Sequence, residues 1–175
     1  MTKVIFAAIL VAGPLLGFYM IFSQGMSGAI LGGKIIETLG KVNLQKSITS
    51  KKSLNFLKMK KKNCTYYVIE IYQKSNWVIN WFSSHSPIQL TEHEFVKFID
   101  LIRNKSKESR NAKIGIESDK RYREINVRNV ENSSDLELNF IHHRNKSPDS
   151  LISLIINEEA LAETSRILEK INITN

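Results

Sequence analysis

Few residues in this chain of 175 combine the type and the spacing that catalysis or metal binding demands. His93-Glu94 begins like the helix of a zinc-dependent protease, but Phe95, Val96 and Lys97 follow, so the second histidine is missing. His142 and His143 are neighbours in an extended segment and project to opposite faces, which is poor geometry for sharing an ion. Cys64 is the single cysteine, which excludes an internal disulfide, and four scattered histidines leave no zinc cluster. Its thiol lies near lysines that favour a thiolate, yet no histidine is placed to use it. His85, just before Pro87, reads as a loop residue, and Glu158 and Glu159 sit in a first helical turn where the macrodipole alone favours acids. No glycine-rich phosphate loop occurs outside the apolar N-terminal segment. The expectation is a protein that is not an enzyme, with no catalytic residue, no metal ligand and no cofactor.

Charge is the stronger signal, and it is unevenly spread. The chain carries +8, with nine lysines against Glu37 alone in residues 34–62, namely Lys34, Lys41, Lys46, Lys51, Lys52, Lys58, Lys60, Lys61 and Lys62. Residues 63–175 are near neutral at −1. Residues 4–33 have no charged side chain, and Val4 to Phe22 form a run of nineteen residues long enough to cross a bilayer as a helix. One lysine precedes that run and nine follow it, which predicts a single-pass anchor with the rest of the chain cytoplasmic. A cleaved signal peptide, with Ser27-Gly28-Ala29 near the cut and the module exported, is the competing reading. Gly13 and Gly17, like Gly28 and Gly32, stand four apart, a spacing that lets membrane helices pack closely.

These patterns divide the chain into a membrane anchor over 1–33, a lysine-rich juxtamembrane connector with a first strand over 34–62, and a soluble α+β module over 63–175. The nine lysines are expected to contact an anionic membrane surface or another polyanion. Within the first half, 54–60, 65–72, 77–83 and 87–90 are rich in β-branched and aromatic residues. A helix follows, opened by the capping box Thr91 to Glu94 and carrying Phe95, Phe98, Ile99 and Ile102 on one face. The second half repeats the pattern with strands at 113–117, 122–130, 136–142 and 151–156, then a helix capped by Asn157. The two strand-to-helix junctions, PIQLTEHEFVKFIDLI and SLIINEEALAETSRIL, align at a spacing of 66 residues. Two ββββα repeats are the predicted architecture.

In this order of elements, and in the junction PIQLTEHEFVKFIDLI, the chain resembles the Whirly and Pur-repeat superfamily of single-stranded nucleic-acid-binding, transcriptional-coactivator-like proteins. That resemblance implies curved antiparallel sheets that bind single strands through basic and aromatic side chains. Trp77, Trp81, Tyr72 and Arg123 are the matching candidates here for stacking and phosphate contact. A near-neutral module and an anchor depart from the superfamily. The first expectation is therefore an accessory subunit whose module binds or braces a partner protein of a membrane complex, with membrane lipid and other subunits as partners. The alternative is a membrane-tethered binder of single-stranded nucleic acid.

Overall fold

The computed structural model describes residues 26–46, 50–75, 83–105, 111–144 and 147–171. The predicted span Val4 to Phe22, with Gly13 and Gly17, lies outside the described residues, as do Trp77 and Trp81. Among the described residues no helix is long and apolar enough to cross a membrane.

The described chain begins with helix α1 (Met26–Leu31). Gly32, at φ +69°, stops it in a left-handed cap in which the Gly33 amide reaches the Gly28 carbonyl at 2.8 Å and the Gly32 amide reaches Ala29. The structure thus gives Gly28 and Gly32 a helix-terminating duty. The helix does not run on through them as one packing face.

The lysine block, expected as a connector with a first strand, is two full strands. β1 (Lys34–Lys46) and β2 (Ser50–Lys61) pair antiparallel, followed by β3 (Cys64–Ser75) and β4 (Ser83–Leu90) in a four-stranded sheet of order β1-β2-β3-β4. β1 escaped the sequence reading because its register shifts between Ile35 and Glu37, Thr38 and Gly40, and Asn43 and Gln45. Each shift breaks the alternation of period two by which a strand is recognised. His85 stands within β4 and not in a loop. Helix α2 (Glu92–Lys105) follows.

The second half repeats this order. β5 (Ala112–Gly115), β6 (Glu124–Asn129), β7 (Leu136–Arg144) and β8 (Ser147–Ile156) form a second antiparallel sheet in sequence order, and α3 (Glu158–Lys170) follows, with the Asn157 side chain accepting from the Ala160 amide. Two four-stranded sheets, each followed by a helix, are therefore present, with β1 in the first unit in place of the expected strand over 77–83; most of that segment lies outside the described residues, and 87–90 is the end of β4.

The two units share one core. Each helix reaches the other repeat's sheet: α2 touches β5 and β6 as well as β3 and β4, and α3 lies on β1. Gly40 makes the second crossing feasible, since a Cβ there would stand 2.5 Å from the Ile167 side chain. Phe56, Phe95 and Phe98 of the first unit and Phe140, Leu138 and Ile156 of the second are all essentially inaccessible. Each such side chain contributes about 1.5–3 kcal/mol of transfer free energy. Phe95 stacks on Tyr67 at 4.4 Å between ring centroids. A smaller cluster of Leu31, Leu57, Met59 and Val68 lies on the opposite face of the first sheet and holds α1.

Candidate functional site

Because eight of the nine lysines lie in β1 and β2, with Lys62 in the turn that follows, their spacing is fixed by the sheet. Lys46, Lys51 and Lys74 are register partners across β1, β2 and β3, and Lys34 faces Lys60 at the other end of the same sheet. Like charges directly opposite one another destabilise a sheet, so such rows need a compensating reason. The two groups are nine residues apart along β2, an odd number, so Lys51 and Lys74 share the face that carries α1, and Lys34 and Lys60 the face that carries the main core. Lys41 lies 5.9 Å from the ring centre of Tyr72 on the first of these faces, and Lys58 the same distance from Tyr67 on the second. Burial pulls the Lys52 ammonium below its ordinary pKa.

The charge balance changes accordingly. With 34–62 folded into the sheet, residues 34–175 carry +7, where the sequence division had set a neutral module against a basic connector.

On the face of the first sheet that carries α1, Glu70 is buried and gathers several donors. Asn55 Nδ2 donates to it at 2.5 Å, His85 Nδ1 lies 2.8 Å away, and the Ser27 hydroxyl donates from α1. Burial pushes this carboxyl up, but the bonds from Ser27, His85 and Asn55 outweigh it and hold the group below the usual carboxylate range. The Ser27 hydroxyl is bonded to the carboxylate and not to the histidine, so the three do not form a nucleophilic relay.

The corresponding face of the second sheet is built on the same plan and is differently furnished. Counting back three residues from the paired positions Leu90/Tyr67 and Ile156/Leu136 gives equivalent rows: Lys41, Asn55, Glu70 and Pro87 in the first sheet, and Lys113, Asn126, Asn139 and Ser153 in the second. The next row holds Leu57 and Val68 in the first sheet, under Leu31 of α1, and the ion pair Arg128 to Glu137 in the second. One sheet offers an apolar seat to the chain's own helix, and the other offers polar groups. A cavity of about 350 Å³ lies over that second row, lined by Lys113, Glu124, Asn126, Arg128 and Asn139 among others.

Of the predicted stacking residues, Tyr72 is half-buried on the first sheet with His85 edge-on at 4.9 Å. Arg123 is exposed and precedes β6 in the second sheet, so these two are not brought together. Cys64 and His93 are exposed, and the described residues contain no group of three potential metal ligands. Glu94 has a structural duty beyond its capping box: its carboxylate also accepts from the amides of Glu117 at 2.7 Å and Ser118 at 3.2 Å, tying α2 to the second repeat.

Sequence reading missed the Lys-Asn rows. Their members are separated by 72 residues (Lys41 and Lys113), 71 (Asn55 and Asn126) and 69 (Glu70 and Asn139), while the helix junctions are 66 apart, because the connections between strands differ in length. No constant period remains to be seen.

No protein-family model matches the chain, and no curated protein matches it. Among solved structures, the crystal structure of WHY1 from Arabidopsis thaliana is similar at 11% sequence identity, over 77% of this chain and 82% of that one, with a TM-score of 0.43. This is a weak Whirly-like resemblance, and it assigns no ligand.

Proposed function

We propose that this chain is a non-enzymatic, membrane-tethered protein that binds single-stranded nucleic acid along the lysine-bearing first sheet, on the cytoplasmic side. The observation that carries the reading is the like-charged register pair Lys51 and Lys74, set on the same face of the first sheet as Lys41 and Tyr72. The repulsion within this pair is offset when a polyanion lies along that face, and phosphate contacts release condensed counterions. Tyr72, on the same face, supplies an aromatic surface to a base, worth about 1–3 kcal/mol where stacking occurs. The expectation of a partner protein rests in part on a neutral module, and the charge of +7 over residues 34–175 removes that part.

The test is binding of the full chain, in mild detergent, to a fluorescent oligothymidine and to a duplex of equal charge. Tighter binding of the single strand, falling steeply with salt, is expected. Equal retention of the duplex, or no binding at low salt, overturns the reading. A second reading is an anionic leaflet as the counter-surface. It is favoured by α1, which follows the uncharged segment and is seated on this same sheet. Vesicles rich in phosphatidylserine that displace the oligonucleotide would support it.

A further inference from the structure

The second sheet carries a donor and two acceptors in one line. Lys113 of β5, Asn126 of β6 and Asn139 of β7 are successive register partners, and all three line the 350 Å³ cavity. The side-chain oxygens of Asn126 and Asn139 are both buried and have no hydrogen-bond partner, and Asn139 as a whole is 8% exposed. Leaving a buried acceptor unmet is costly, so two of them side by side call for a ligand with two adjacent donors. Asn139 also bonds the Glu137 carboxylate, which accepts only, so the amide nitrogen of Asn139 is the end engaged there and its oxygen is the end left over. Glu137 is fixed in turn by Arg128 and by the Ser153 hydroxyl at 2.8 Å. In the first sheet the equivalent site is filled from within, by Ser27 of α1 and the Asn55 nitrogen donating to Glu70, and it leaves one such oxygen, that of Asn55, where the second sheet leaves two side by side. No described segment of the chain fills it in the second sheet, where the apolar seat for such a helix is replaced by Arg128 and Glu137.

Read across β5, β6 and β7, the row is donor, acceptor, acceptor. Its complement is acceptor, donor, donor, which is the order of O6, N1–H and N2–H on the Watson–Crick edge of guanine. Adenine offers donor then acceptor, cytosine donor then two acceptors, and uracil or thymine a single donor between acceptors. Single-stranded nucleic acids expose this edge to side chains. We propose that the cavity over Asn126 and Asn139 is a guanine-binding subsite, with Lys113 on O6 and the two carboxamide oxygens on N1–H and N2–H. The proposal rests on the nucleic-acid reading for its source of guanine, although a free guanine nucleotide carries the same edge.

The experiment uses the full chain in mild detergent and short oligothymidines whose central base is guanine, hypoxanthine, adenine or thymine, with guanosine and adenosine monophosphates as competitors. The guanine oligonucleotide is expected to bind roughly 10- to 100-fold more tightly than the adenine and thymine ones. Hypoxanthine, which lacks the N2 amine, should fall between. Asn126→Ala and Asn139→Ala should erase the preference while leaving oligothymidine affinity unchanged, and Asn126→Asp, which keeps an acceptor and leaves the Asn139 bond to Glu137 in place, should retain it. Equal affinities for all four oligonucleotides would overturn the subsite and leave the first-sheet reading standing. Direct binding of guanosine monophosphate but not adenosine monophosphate, read by calorimetry, without binding of any oligonucleotide would support the subsite, identify a free nucleotide as its ligand and overturn the nucleic-acid reading. No binding of oligonucleotide or nucleotide would overturn both.

Discussion

Replacing Glu94 tests how the two repeats are held together. Its carboxylate accepts from the Thr91 amide at 2.6 Å, the Thr91 hydroxyl at 3.0 Å, the Glu117 amide at 2.7 Å and the Ser118 amide at 3.2 Å, as well as from the Ser118 hydroxyl. A single hydrogen bond to a charged group contributes about 1.5–3 kcal/mol, and donors near the surface regain water when it is lost. Glu94→Ala is therefore expected to cost about 3 kcal/mol, and Glu94→Gln, which keeps one acceptor oxygen, about 1–2 kcal/mol. For a chain of this size 3 kcal/mol corresponds to a fall of roughly 6–12 °C in Tm. The pH dependence has a definite sign. Burial pushes the Glu94 carboxyl up, but the bonds from Ser118, Thr91 and Glu117 outweigh it and hold the pKa low. Its contribution is then fully present above the unfolded carboxyl pKa of about 4.3 and is lost as pH falls through the lower folded value. The gap between wild type and Glu94→Gln should be widest at neutral pH and close in acid, as read by urea unfolding followed by circular dichroism. An unchanged unfolding midpoint, or a gap that does not vary with pH, would refute the assignment.

Three further outcomes follow from the same geometry. Gly40→Ala places a Cβ 2.5–2.9 Å from the Ile167 side chain and should cost about 1–3 kcal/mol, with partial rescue by Ile167→Val; a neutral effect would mean that α3 does not lie on β1 as described. Glu70→Gln should lower stability at neutral pH and flatten the acid limb of the stability profile, since Glu70 is also held below the usual range; an unaltered acid limb would show that the contacts from Ser27, His85 and Asn55 contribute nothing. Asn157→Ala removes the acceptor for the Ala160 amide and should cost about 1 kcal/mol in the unfolding midpoint, and a change within error would argue against the cap.

Local rules carried much of the fold. Thr91 and Glu94 bond each other's backbone amides as a capping box, Asn157 caps α3, and the apolar stripe of Phe95, Phe98, Ile99 and Ile102 is buried as its spacing requires. The repeat was legible because both helices begin with those local signals. β1 was not, because three register shifts scramble its alternation and lysines occupy positions that a single-sheet pattern would leave apolar. That one omission misplaced the charge: lysines read as a connector are part of a sheet, and a module read as neutral is basic. The polar row over Asn126 and Asn139 was illegible for a different reason, since only the pairing register places residues 113, 126 and 139 side by side.

The central claim is that the first sheet holds a polyanion through in-register lysines, and the salt dependence of single-strand binding tests it most directly. For a single strand the logarithm of affinity falls with the logarithm of salt by ~0.7 for each phosphate neutralised. If Lys51 and Lys74 each hold one phosphate, the double variant Lys51→Gln, Lys74→Gln should reduce that slope by about 1.4 and weaken binding at low salt. The same variant should unfold no more easily than wild type, because it removes a like-charge pair from facing strands. An unchanged slope and affinity in a folded double variant would contradict the claim.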